Sequence, residues 1–176
     1  MTEPDEQVVL VDDDGTPIGT APKAAVHDSD TPLHLAFSCH VTDAAGRLLV
    51  TRRALGKRTW PGVWTNSFCG HPAPGESMEA AIARRALDEL GLTLVDLEPL
   101  LPGFRYRATD ASGIVENEIC PVFAARTLDE VLPDPDEVAE YRWVDRAELE
   151  TAATAAPWAF SPWLTLQLDA LAGQRA

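Results

Sequence analysis

The chain has 176 residues, 45% of them apolar, with 28 acidic against 14 basic side chains and a formal charge of −14. That length fills one core, so a single domain over residues 1–176 is expected, with 1–6 and 173–176 as mobile tails. The charge excludes broad attraction to nucleic acid or an anionic membrane, although a metal ion or a cluster of Arg and Lys can still receive a small anionic substrate.

Cys39, Cys69 and Cys120 form neither a CxxC pair nor a dense framework, which suits a reducing compartment. The opening "MTEPDEQ" lacks the basic and apolar regions of a signal peptide. No apolar run approaches the roughly 20 residues that a membrane span needs. A cytoplasmic location is expected.

Turn residues separate two short apolar runs in "QVVLVDDDGTPIGTA", which predicts a hairpin with a strand from Gln7 to Val11, a turn at Asp14 and Gly15, and a returning strand. "HLAFSCHVTDAAGRLLVTRRA" predicts a second hairpin, with strands near Leu35 to Thr42 and Arg47 to Arg53. A loop rich in Gly and Pro follows, "TNSFCGHPAPGE". Next, Met78, Ile82, Ala86 and Leu90 recur at helical spacing before Gly91, which predicts a helix with Gly91 just beyond its end. Alternation in "GIVENEICPVFAARTL" predicts a long strand with Glu116, Glu118 and Cys120 on one face and a bulge or edge at Pro121. "LDEVLPDPDEVAE" reads as an acidic loop. A last strand then enters a short helix N-capped by Asp145, and a C-terminal helix starts after Ser161 with Pro162 in its first turn. Hairpins mixed with a few helices, without regular βαβ alternation, predict an α+β fold, a mixed β-sheet sandwich with flanking helices.

His27, His34 and His71 lie in or beside loops, and Glu116 and Glu118 project from one strand face. Three imidazoles and two carboxylates make a ligand set suited to Mn, Zn or Fe, or to Mg where other ions are excluded. The plainer alternative is solvated loop histidines and a solvent-facing row of glutamates. Cys69 is open to four readings: nucleophile, metal ligand, proton carrier or small buried hydrophobe. Cys39, His40 and Cys120 read as core.

From Gly70 the spacing runs five residues to Glu76, seven to Arg84, and on through Asp88, Glu89, Gly91 and Leu92. This resembles the Nudix box, G-x5-E-x7-R-E-U-x-E-E-x-G-U with U apolar, whose helix carboxylates bind the cation that complexes a diphosphate. Arg85 departs from it where the hydrolases carry their first helix glutamate, and Asp88 where they carry the first of a pair. Those departures leave Glu89 as the matched carboxylate and favour diphosphate binding over diphosphate hydrolysis.

The blocks "HLAFS", "LLVTRRAL", "WPGVWTNSFCGHP", "FRYRATD", "GIVENEICPVF" and "WAFSPW" together resemble the type 1 isopentenyl-diphosphate isomerases, over roughly residues 6 to 166. The resemblance implies a Nudix fold with an N-terminal β-hairpin extension, acting as a monomer on a small molecule with neither nucleic acid nor membrane as partner. It implies a divalent metal (Mn, Zn or Mg) on His27, His34, His71, Glu116 and Glu118. It also implies a Mg²⁺ bound with the substrate diphosphate at Glu89 and the Cys69 backbone. The activity implied moves a double bond by protonation at one end and deprotonation at the other. Such chemistry passes through a tertiary carbocation and needs an acid, a base and walls that admit no water. Cys69 and Glu118 would carry the protons, assisted by Tyr106. Trp163 would face the cation, worth about 2 kcal/mol when desolvated. Lys23, Arg53, Lys57 and Arg85 are the expected diphosphate ligands; Arg52 should point to the other face of its strand. The rival reading is a Nudix hydrolase of a nucleoside or prenyl diphosphate, and a catalytically silent metal or diphosphate-binding module is a third.

Overall fold

The computed structural model describes residues 6–174. β1 (Gln7–Val11) and β2 (Pro17–Pro22) form the first hairpin, with Gly15 turning at φ +81°. One helical turn, α1 (Lys23–Val26), then presents His27. The strand expected at Leu35 to Thr42 divides. β3 (His34–Leu35) and β4 (Phe37–Thr42) belong to different sheets, and the chain crosses between them at Ala36. β5 (Leu48–Arg53) returns from the DAAG turn as predicted.

β4 and β5 pair only at Thr42 and Leu48 and then splay apart. Two short strands fill the gap, β6 (Trp64–Thr65) beside β5 and β7 (Phe68–Gly70) beside β4. Asn66 and Ser67, fully buried between them, replace the missing ladder bonds. Val41 N donates to Ser67 Oγ, which donates to Leu49 O. Asn66 Nδ2 donates to Cys39 O and Phe68 O, and Thr51 Oγ1 donates to Asn66 O. Without these side chains the splayed edges would bury unpaired amides, each costing on the order of 1–3 kcal/mol.

α2 (Met78–Leu90) is the helix that the spacing predicts. Ser77 caps its start by accepting from Ala80 N, and Gly91 ends it at φ +67°. Its Ala81, Ile82, Ala86 and Leu90 pack on Phe37, Cys39, Val41 and Phe68, at about 1.5–3 kcal/mol for each large apolar side chain buried. Sequence pattern missed β8 (Val95–Leu101) and β9 (Arg105–Thr109). β8 carries Pro99 and lies at a sheet edge, where a missing N–H is tolerated.

The expected long strand also divides, into β10 (Val115–Ile119) and β11 (Val122–Arg126), because Pro121 cannot continue a ladder. β12 (Val138–Val144), α3 (Arg146–Ala155), a 3₁₀ turn (Pro157–Ala159) and α4 (Pro162–Gln174) complete the chain. Asp145 stands at the N-cap of α3, but its carboxylate accepts no capping bond. Ser161 Oγ accepts from Leu164 N at the start of α4. Of the expected tails, residues 1–5 and 175–176 lie outside the described residues. Glu6 pairs with Lys23, and Gly173 and Gln174 continue α4.

The strand orders are β2-β1-β3-β10-β9 and β12-β5-β4-β11-β8, with β6 and β7 off the second path. α2 covers one face of the second sheet and α3 with α4 the other, where Leu48, Val50, Leu149, Leu164 and Leu168 cluster. The fold is therefore α+β with a mixed sheet between helices. β3 runs parallel to β10 and β4 parallel to β11, so the two segments change sheets side by side. The candidate site lies at that crossing. No described helix is long and apolar enough to cross a membrane.

Candidate active site

Register builds the first part of the site. His34 on β3, Glu118 on β10 and Tyr106 on β9 are direct cross-strand neighbours, so their side chains form one row on one sheet face. Tyr106 Oη donates to Glu118 Oε2 at 3.0 Å. From outside the sheet, His71 brings Nε2 to 3.1 Å from Glu118 Oε1, and the rings of His27, His34 and His71 lie 5.0–5.9 Å apart.

His34 Nδ1 donates to Pro32 O at 2.9 Å, so in the neutral ring, the form that binds a metal, Nε2 carries the lone pair; burial pulls His34 down, but without a metal the Glu118 carboxylate raises it above the usual histidine value. Nε2 faces Glu118 Oε1 at 3.4 Å, where a neutral ring sets two acceptors toward each other unless a cation lies between them. His27 Nε2, His34 Nε2 and His71 Nδ1 are buried without a hydrogen-bond partner. Among the described residues, His27, His34, His71 and Glu118 bring one ligand atom each to within 4.8 Å of one another. Such a cage of neutral nitrogens and a carboxylate fits a divalent cation, with His34 oriented by its own carbonyl partner. Glu116, the fifth expected ligand, stands beside this group rather than in it: Oε2 lies 3.0 Å from His27 Nε2, and Oε1 accepts from Thr59 Oγ1 at 2.9 Å.

Burial pushes His71 down to about 4, against the pull of Glu118, so His71 is neutral near pH 7. Burial alone would raise the Glu118 carboxyl, but His34 and His71 hold it well below the usual carboxylate range. Burial also pushes the Cys69 thiol up to about 12, despite its hydrogen bonds with Ser38 Oγ and Asn66 Oδ1, so the sulfur carries its proton.

Cys69, Tyr106, Glu118 and Trp163 line one cavity of about 620 Å³ that Lys23, Arg53, Lys57, Arg85 and Glu89 also border. Trp163 is 3% exposed; its indole N–H donates to Asn66 Oδ1, and its ring meets Trp60 edge-on and Tyr106 tilted. Arg53 reaches over the Trp163 ring and donates to the carbonyls of Thr59 and Trp60, clamping Trp60 at φ +42°. Arg52 leaves the cavity to pair with Glu140, as the strand face predicts. Lys57 pairs with Glu137, and Arg85 donates to Glu89 Oε1 at 2.9 Å while its Nη2 lies 3.5 Å from Glu137 Oε1. Lys23 pairs with Glu6. Lys57 and Arg85 are thus joined through Glu137, which the sequence offered only as part of an acidic loop. Asn66 and Thr59 were equally unmarked, although the polar run "TNS" between Trp64 and Phe68 interrupts an otherwise apolar strand pattern.

A family model described as NUDIX domain matches residues 32–164. Relatives extend the likeness over the whole chain: isopentenyl-diphosphate Delta-isomerase of Clavibacter sepedonicus is 66% identical over 100% of this chain and 93% of its own. That of Agromyces mediolanus is 68% identical over 94% of this chain and 81% of its own. A solved structure, DR0079 from Deinococcus radiodurans, covers 94% of this chain and 99% of its own at TM-score 0.73 and 19% identity, a likeness of fold. The chain belongs to the Nudix domain family and, within it, to the isopentenyl-diphosphate Delta-isomerase family of these relatives.

Proposed function

We propose that the chain interconverts isopentenyl and dimethylallyl diphosphate, as a single-domain cytoplasmic monomer acting on a small molecule. One observation carries the reading: a thiol, Cys69, and a carboxylate, Glu118, share a cavity with the Trp163 ring and the four cationic side chains Lys23, Arg53, Lys57 and Arg85. Lys23, Arg53, Lys57 and Arg85 would receive the diphosphate by charge-assisted hydrogen bonds. The isoprenoid carbons would then lie between Cys69 and Glu118. Cys69 holds a proton to give to the alkene carbon on its side, and the resulting thiolate takes it back in the reverse direction. Glu118 exchanges the proton on the other side, and the Tyr106 hydroxyl holds it in line. Trp163 faces the tertiary cation without attacking it.

A divalent metal, Mn, Zn or Mg, would be held by His27, His34, His71 and Glu118 with Glu116 alongside, and would supply charge that fixes and tunes the Glu118 carboxylate. Glu89 and the Cys69 backbone would hold a Mg²⁺ brought with the diphosphate. Arg85 speaks against the hydrolase reading. It occupies the position of a helix carboxylate in the hydrolases and ties up Glu89, thinning the anionic cluster that hydrolysis needs.

Incubation of isopentenyl diphosphate with the protein and Mg²⁺ in D₂O tests the reading. Deuterium should enter dimethylallyl diphosphate without release of phosphate. Phosphate release without label would replace the isomerase with a hydrolase.

A further inference from the structure

Behind the cavity wall a line of buried polar groups runs from Cys69 into the second sheet and on to α4. Cys69 Sγ lies 3.3 Å from Asn66 Oδ1 and 3.2 Å from Ser38 Oγ. Gln167 Nε2 lies 2.9 Å from Ser38 Oγ, and His40 Nε2 lies 2.9 Å from Gln167 Oε1. Ser38 and Gln167 are completely inaccessible and His40 is 3% exposed.

The direction of every bond follows from one amide. Asn66 Nδ2 donates to two carbonyls, Cys39 O and Phe68 O, so Oδ1 is the atom turned to Cys69 and can only accept. The single thiol hydrogen of Cys69 therefore serves Asn66, and the contact with Ser38 is a hydrogen bond only if the serine hydroxyl donates. Having given its hydrogen, Ser38 Oγ accepts from Gln167 Nε2 and from the Cys120 thiol, 3.4 Å away. Gln167 Oε1 then accepts, which places the proton of His40 on Nε2.

We infer that Ser38 is a positioning residue for the Cys69 thiol: His40, Gln167 and Ser38 form a one-way row of donors ending at Sγ. The proton of Cys69 is thereby turned away from the interior, toward Asn66 or the substrate cavity. This rests on the proposed role of Cys69 in the isomerisation. Burial supports the direction by pushing His40 down to about 4, so that the ring is neutral and has one N–H to place.

Two measurements on the full chain test it. Nitrogen NMR of the histidine side chains should find His40 neutral at pH 7 with its proton on Nε2; an Nδ1–H tautomer or an imidazolium overturns the inference. Ser38→Ala should lower kcat about tenfold with KM unchanged, the order of one hydrogen bond to a reacting group. Ser38→Thr, which keeps the hydroxyl, should recover most of that loss. Equal kcat for wild type and Ser38→Ala overturns the inference, as does an equal loss in both variants. A wild-type protein inert toward isopentenyl diphosphate but with the Nε2–H tautomer would leave the donor row standing and remove the isomerase reading.

Discussion

Glu118 is held by groups that ask different things of it. The Tyr106 hydroxyl donates to one oxygen, while the other receives His71 Nε2 and faces Nε2 of His34. With the rings neutral this group is built to take a cation, so His71→Ala should lower bound divalent metal by elemental analysis. Cys69→Ala should leave metal content unchanged yet cut turnover about 100- to 10,000-fold, the range of a lost proton donor. Failure of the second half, with turnover intact, would return Cys69 to the small buried hydrophobes. His40 gives a pH prediction of its own. Its native value near 4 lies below the usual 6.5 of histidine, so between these values the unfolded chain binds a proton that the native one refuses. Its contribution therefore destabilises the protein as pH falls from about 6.5 to about 4, by up to about 3 kcal/mol, and is absent above pH 7. Urea unfolding of wild type and His40→Gln at pH 7 and pH 5 should show the wild type losing more stability on acidification.

The same strand that buries His40 shows how elements constrain each other. Gly70 ends β7 where α2 passes close: a Cβ there would lie 2.8 Å from Arg85 Cγ and 2.8 Å from Phe37 Cζ. Gly70→Ala should cost about 1–3 kcal/mol by overpacking, read as a lowered urea midpoint. Gly103→Ala, with nothing within 4 Å of the new methyl, should stay within about 0.5 kcal/mol. Helix α2 was legible in the sequence because its apolar spacing and both of its ends agree. The crossings at Ala36 and at Cys120 and Pro121 were not. Periodicity tells which face a residue takes but not to which sheet that face belongs. Apart from His34, which is fully buried, the expected site residues line one cavity, the four cations among them. Ser38, Asn66, Gln167 and Glu137 stayed hidden because their meaning lies in contacts such as that of Ser38 with Gln167, 129 positions apart in the chain.

At the scale of the molecule, the first sheet supplies His34, Tyr106 and Glu118, and the second supplies Cys69 at its β7 and Trp163 from the helix laid on it. A cation held by this native geometry should stabilise the fold as the logarithm of its concentration, by about 2.7 kcal/mol at a hundredfold excess over its Kd, and raise the thermal midpoint accordingly. Melting curves with and without chelator check it. The two sheets meet where the parallel pairs β3 with β10 and β4 with β11 run side by side, and Ser38 and Cys120 there are 82 residues apart. Parallel pairing over so long a span is slow to form, because a large loop must close before any contact rewards it. The metal cage should thus be among the last things the folding chain completes. Manganese or zinc should accordingly leave the refolding rate nearly unchanged and slow unfolding instead, as expected of contacts absent from the folding transition state.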